Sequence, residues 1–166
     1  MLIIFGGLPA TGKTTIAQAL AKHIKATYLR VDTIEHSIAL TGKVSADMED
    51  MGYRIGYSLA TENLKLGNSV IADSVNPLDL TRAAWRNAAK LAASEYLEVE
   101  IICSDKTIHQ QHAENRLTDI PNFTLPTWQK ITDRYYQPWL NKPLTIDTAT
   151  TSVAQAVDLI LQYLSK

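Results

Sequence analysis

The segment Gly7-Leu8-Pro9-Ala10-Thr11-Gly12-Lys13-Thr14 constrains this chain more than any other stretch. Its spacing, a glycine, four residues and then Gly-Lys-Thr, is that of a phosphate-binding loop, the Walker A pattern. Leu2-Ile3-Ile4-Phe5 before it is an apolar run of strand length, and Ile16, Leu20 and Ile24 after it recur at helical spacing. A strand-to-helix turn is the context such a loop needs. Glycine at 7 and 12 lets the main chain approach a phosphate closely. Successive N–H groups then point inward, and the following helix adds its positive dipole end. Lys13 is placed to reach the β- and γ-phosphates, and the Thr14 hydroxyl to coordinate Mg²⁺. Leu8, Pro9, Ala10, Thr11 and Thr15 complete the expected nucleotide-binding stretch. The ligand this pattern predicts is a nucleoside triphosphate.

Composition limits what else the chain can be. At 166 residues, 46% hydrophobic and 20% charged, it has the size and make-up of one globular domain with a substantial core. A net charge of −1 gives no overall basic field, so a nucleic-acid partner is not expected. Cys103 stands alone, which excludes an internal disulfide and points to a reducing compartment. The first apolar run is too short for a signal peptide and no run reaches membrane-spanning length, so the expectation is a soluble, cytoplasmic protein without membrane contact.

Along the chain, the first helix is expected over roughly 13–25, followed by a strand from Thr27 that ends at Asp32. Asp32 and Glu35 have capping-box spacing for the next helix, which Gly42 breaks. Ser45, Asp47, Glu49 and Asp50 read as the acid-rich start of a longer helix with Tyr53, Tyr57, Ala60 and Leu64 buried and Gly67 at its end. Ser69 to Asp73 reads as a third strand. Asn76-Pro77 opens a helix through Leu80, Ala84, Ala88 and Leu91, and Tyr96 to Cys103 forms a fourth strand. Asp105 caps a helix to about Asn115, residues 116–125 form a loop, and Pro126 opens a helix carrying Trp128, Ile131, Tyr135 and Trp139. Leu144 to Asp147 is a fifth strand. Ser152 and Gln155 box the last helix, with Val153, Ala156, Val157, Ile160, Leu161 and Leu164 inward.

Strands alternating with helices predict a parallel sheet covered on both faces, an α/β/α three-layer single domain over 1–166. Ligands in such sheets bind beyond the carboxyl ends of the strands, where residues 6–14, Asp32, Asp73, Ser104 and Asp147 gather. Asp73 is a candidate for the metal's hydration shell, or else a turn or helix-cap aspartate. Asp32 is a candidate general base toward an acceptor hydroxyl, a role compatible with capping. Arg116, at the mouth of the 116–125 loop, suits a lid over the nucleotide, and Arg82 an acceptor-side contact; either is otherwise a solvated arginine. Arg30 shares a sheet face with Asp32 and is a third substrate-binding candidate. His109 and His112 read as solvated rather than metal-binding. Trp128, Tyr135 and Trp139 read as core or lid support, and Cys103 as a buried packing residue.

Over nearly its whole length the sequence resembles the small P-loop kinases, a group that includes gluconate, shikimate and adenylyl-sulfate kinases, chloramphenicol phosphotransferase, zeta-type toxins and the 5′-polynucleotide kinase domain. It is most similar to bacterial predicted kinases often labelled AAA-family ATP-binding proteins. The stretches that carry the resemblance are GGLPATGKTT, YLRVDTIE, VIADSVNPLDLTRAAW, AENRLTDIPNF with LPTW, and LTIDTA. The resemblance implies a P-loop NTPase fold with a five-stranded sheet of order 2-3-1-4-5, ATP as phosphoryl donor, and a short lid around 110–126. It implies Lys13, Asp32 and Arg116 as catalytic residues, Thr14 and Asp73 at Mg²⁺, and Thr148, in the segment after Asp147, along the adenine. The lid departs from nucleoside monophosphate kinases in having one arginine, Arg116, with Asp119 nearby. The function these features predict is transfer of the γ-phosphoryl of ATP to a hydroxyl of a small molecule, by a monomer or homodimer. The alternatives are a regulatory ATPase without a small acceptor and a 5′-kinase acting on nucleic acid.

Overall fold

The computed structural model describes residues 1–42 and 50–165. Its elements in chain order are β1 (Leu2–Gly6), α1 (Lys13–Ile24), β2 (Thr27–Arg30), α2 (Val31–Ala39), α3 (Met51–Lys65), β3 (Val70–Asp73), α4 (Asp79–Leu91), β4 (Tyr96–Ile102), α5 (Lys106–Asn115), α6 (Trp128–Thr132), β5 (Leu144–Asp147) and α7 (Val153–Leu164). The sheet runs β2-β3-β1-β4-β5, every pair parallel, the expected order.

β1 is the central strand, and its alternation splits the core in two. Ile3 and Phe5 face Ile16 and Leu20 of α1 and Ala156 and Ile160 of α7. Leu2 and Ile4 face the other way, toward Ala60 and Leu64 of α3 and Trp85 and Ala89 of α4. Both sides are apolar, as a parallel sheet covered on two faces requires. Each such aliphatic side chain stabilises the fold by about 1.5–3 kcal/mol when fully buried. The sheet therefore presents one rigid edge, its carboxyl ends, to the loops that carry the site.

Several local expectations need correction. β2 stops at Arg30, and α2 begins at Val31 with Asp32 inside its first turn and no side-chain cap bond at Arg30. A carboxylate one residue inside the helix cannot cap it, so the Asp32–Glu35 capping box does not form. The expected starting residues Ser45, Asp47 and Glu49 of the longer helix lie outside the described residues; α3 is described from Met51. Its fully buried positions are Gly52, Gly56, Ala60 and Leu64, while Tyr53 and Tyr57 are half-buried at the flank. A Cβ on Gly56 would stand 2.9 Å from the Trp85 ring, so glycine is what admits the indole between α3 and α4. Tyr57 then closes on Trp85 edge-on at 4.6 Å.

α4 opens at Asp79 rather than at Asn76-Pro77, because Asn76 takes a left-handed φ of 49° while its side chain donates to the Phe5 carbonyl at 2.7 Å. Its buried face carries Arg82, Trp85, Ala88 and Ala89, and the expected Leu80 and Leu91 are exposed. α6 ends at Thr132 and is capped by Thr127, so Tyr135, which is exposed, and Trp139 lie beyond it. Beyond α6, Arg82 holds the carbonyls of Gln137 and Pro138 at 2.6 and 3.0 Å, and Pro138 has no N–H with which to carry a helix on toward Trp139. Cys103 follows β4 and is partly exposed, so it is not a core residue. Asp105 caps α5 and the Ser152–Gln155 box closes on α7, both as expected. Among the described residues, no helix is long and apolar enough to cross a membrane.

Candidate functional site

The loop between β1 and α1 is shaped by three left-handed residues, Gly7 (φ 134°), Ala10 (66°) and Gly12 (91°), the last being the N-cap of α1. At Gly7 no side chain fits: a Cβ would stand 2.1 Å from the Ile101 carbonyl oxygen of the neighbouring strand. Inside the loop the Leu8 carbonyl accepts from Lys13 Nζ at 2.9 Å and from Thr11 Oγ1 at 3.0 Å. Lys13 is buried, and burial pulls its ammonium pKa down despite the nearby Asp73 and Asp32 carboxylates. A desolvated cation on a neutral carbonyl is under-compensated, and an anionic ligand would be a better partner.

Around this loop lies a cleft of about 430 Å³, lined on the loop side by Pro9, Ala10, Lys13 and Thr14. Asp73, at the end of β3, is 3% exposed and accepts from the Tyr28 hydroxyl at 2.6 Å. Burial, with Asp73 adding to it, pushes the Tyr28 phenol well above its usual range, so it stays a donor. Asp32 reaches the cleft from the first turn of α2, and burial raises its pKa against the opposing pull of Lys13. Arg30 lines the same wall, with Nη1 on Asp119 Oδ1 at 2.7 Å and Nε 3.9 Å from Asp32. The Arg30 pairing holds the Asp119 carboxyl below its usual range. Arg116, the C-cap of α5, lines the cleft from that helix end; burial lowers its pKa, and its buried Nε has no hydrogen-bond partner among the described residues.

Several expected site residues do not line the cleft. Arg82 is fully buried behind α4, donating to the Asn76, Gln137 and Pro138 carbonyls with its guanidinium 4.2 Å from the Trp139 ring centre. It does not line the cleft; it braces the 136–139 segment. Thr15 is exposed on α1 and also does not line the cleft. Thr148 backs the loop instead of lining the cleft, its hydroxyl between the Thr11 carbonyl (2.9 Å) and the Ile102 carbonyl (3.0 Å). Gly7, Leu8, Thr11 and Gly12 belong to the loop without lining the cleft, Gly7 and Thr11 being buried.

Other cleft residues had no signal strong enough to single them out. Glu35 lies one helical turn from Asp32, and burial with the Asp32 charge beside it pushes its pKa up to about 7. Its place is made by Gly52, where a Cβ would stand 2.3 Å from Glu35 Cγ. Lys130 and Arg134, on and just after α6, add positive charge opposite. His109 is buried rather than solvated: its Nε2 lies 2.8 Å from the Pro9 carbonyl oxygen and its ring meets Trp128 edge-on at 5.0 Å.

The donor set suits a magnesium nucleotide. Among the described residues no group of three or more His, Cys, Asp or Glu could hold a metal ion by itself. Mg²⁺ keeps several waters and binds through one or two protein groups plus substrate phosphates, which is what Thr14 and Asp73 beside the loop offer.

The sheet order and the strand–loop–helix around the cleft define the three-layer P-loop fold of the small kinases. Within that class the chain belongs to the KTI12 family, described as chromatin associated protein KTI12, which it matches over residues 1–163. It is 28% identical over 171 residues to an adenylyl-sulfate kinase of Staphylococcus epidermidis, covering 99% of this chain and 84% of that protein. An APS kinase of Mycobacterium tuberculosis in complex with AMPPNP and APS shares the fold, with a TM-score of 0.76, 20% identity and 99% and 97% of the two chains covered. Kti12 of Chaetomium thermophilum, solved in complex with ADP-AlF3, does so with a TM-score of 0.70 at 21% identity, covering 98% of each chain.

Proposed function

We propose that the protein is an ATP- and Mg²⁺-dependent phosphotransferase acting on a hydroxyl of a small molecule held in this cleft. The observation that carries the reading is the pairing of Lys13 with Asp32 across one lined cavity, a cation for the donor and a carboxylate for the acceptor. Lys13 and the loop amides hold the triphosphate, and Arg116 meets it from the lid. Thr14 and Asp73 would hold Mg²⁺, which would supply charge neutralisation at the phosphates. Asp32 receives the acceptor's proton as the oxygen forms its bond to the γ-phosphorus, and ADP leaves with the electrons of the broken bridging bond. Arg30, steadied by Asp119, stands on the acceptor side. Positioning and electrostatics rather than covalent chemistry supply the acceleration. In this reading the chain works as one domain in the cytoplasm, with residues 110–126 as its lid.

The similarity to adenylyl-sulfate kinases supports phosphotransfer. The KTI12 family match supports a second reading, a regulatory ATPase whose acceptor is water. One assay separates them: ADP release from MgATP with and without fractionated metabolite pools, the product then identified by mass spectrometry. Acceptor-dependent ADP release with a phosphorylated product supports the kinase. Fast hydrolysis that no pool accelerates supports the ATPase and overturns the small acceptor.

A further inference from the structure

We propose that His109 is a positioning residue of the phosphate loop, fixing the peptide plane between Pro9 and Ala10 so that the Ala10 N–H faces the phosphates. The proposal rests on the nucleotide reading above and adds a residue from α5, about a hundred residues along the chain from the loop motif.

A trans peptide is planar, and its carbonyl oxygen and N–H point in opposite directions. The described residues contain no cis peptide. With the Pro9 oxygen held 2.8 Å from His109 Nε2, the Ala10 N–H is turned away from α5. Pro9 and Ala10 both line the cleft, and among the described residues the Ala10 N–H has no hydrogen-bond partner. Because the partner is a carbonyl, Nε2 carries the proton. The bond is shielded, since His109 is 6% exposed, and the ring is steered by its edge-on contact with Trp128 at the start of α6.

This plane has a particular need of support. Proline contributes no N–H of its own, so the Ala10 amide is the first free donor after Leu8. Ala10 also sits at φ 66°, a conformation unfavourable for an alanine that therefore needs an outside contact to persist. The next plane but one is held by the same device, with the Thr148 hydroxyl on the Thr11 carbonyl turning the Gly12 N–H the other way. Two side chains from distant elements thus act on the outer side of the loop to orient amides on its inner side. Because α5 also carries Arg116 at its C-cap, the helix that brings the lid arginine holds the loop as well.

The test is a titration of the ¹⁵N-labelled full chain with MgADP. In the wild type the Ala10 amide proton moves downfield on saturation. His109→Leu weakens MgADP about tenfold, the scale of one hydrogen bond to a charged group, and the Ala10 shift shrinks. His109→Gln, whose Nε2 reaches a similar position, restores affinity to within about threefold of wild type. A packing role alone predicts that Gln does no better than Leu, and that outcome overturns the proposal. Wild-type affinity in His109→Leu overturns it too. Should the Leu variant not fold, the wild-type spectrum decides, because an Ala10 amide that stays put under saturating MgADP is incompatible with the role. Wild-type protein that does not bind MgADP at all overturns the nucleotide reading and this proposal together, whereas binding with an unmoved Ala10 amide overturns only the latter.

Discussion

The phosphate loop and the wall opposite it are built on contrary rules. In the loop, polar groups facing the protein are matched: Leu8, Pro9 and Thr11 carbonyls each accept a side-chain bond, and the Gly7 N–H donates to Val75 at 3.1 Å. Opposite, polar groups lack full partners. Among the described residues the buried Nε atoms of Arg30 and Arg116 have no hydrogen bond, and burial pushes the Glu35 pKa up to about 7. A loop fixed before its ligand arrives loses little entropy on binding, and it suits a ligand portion that never varies. Under-partnered polar groups, Lys13 among them, are costly in the empty protein, so their retention marks where bound ligands supply the missing partners.

Four substitutions test that contrast. Lys13→Ala is expected to lower turnover about 10³-fold, the loss typical of one preorganised charge at a transferring group. The Leu8 carbonyl keeps its Thr11 donor, so the melting temperature should barely move; turnover near wild type would remove Lys13 from the chemistry. Asp32→Asn is expected to cost about 10²-fold in kcat while MgADP affinity stays, since proton acceptance rather than nucleotide binding is lost. A rise in the Kd for MgADP with kcat intact would instead put Asp32 on the nucleotide side.

Asp119→Ala frees Arg30 and should change the acceptor KM severalfold with little change in kcat, because an exposed ion pair contributes about 1 kcal/mol or less. Glu35→Gln has the smallest expected effect, read as stability against pH. Glu35 ionises near 4.5 in the unfolded chain and at about 7 in the fold, so between those values the native state binds more protons. Wild-type stability should therefore fall as pH rises from about 4.5 to 7, and the glutamine variant should lose that slope. Parallel melting curves for the two proteins across that window would place the Glu35 carboxyl in water.

The part of the molecule legible in the sequence is the part with a short-range rule. Gly7, Gly12, Lys13 and Thr14 carry their geometry in their spacing, and Ser152 with Gln155 carries a helix start. The continuous apolar run of β1 and the succession of strand and helix patterns carry the sheet, and the aspartates at the ends of β3 and β5 mark its carboxyl edge. What could not be read depends on contacts far apart in sequence. Arg82 looked like a ligand-binding arginine, yet carbonyls fifty-five and fifty-six residues away claim it. His109 looked solvated until α5 was laid against the loop, one hundred residues earlier. Trp139 continued a helical spacing, but Gly6 offers its ring a seat, 2.4 Å from where a Cβ would be. The leucines of α4 misled for a simpler reason: the face toward the sheet holds a tryptophan, an arginine and alanines, which hydrophobicity alone does not rank first.

Gly52 and Glu35 share a single volume, since no Cβ fits at 52 while the glutamate chain lies as it does. The two positions are therefore exchangeable only as a unit. Shortening residue 35 to alanine vacates room that an alanine at 52 can fill, whereas Gly52→Ala alone forces the glutamate chain to move. A change of shape along this wall thus takes paired steps, with one helix yielding space as its neighbour takes it up.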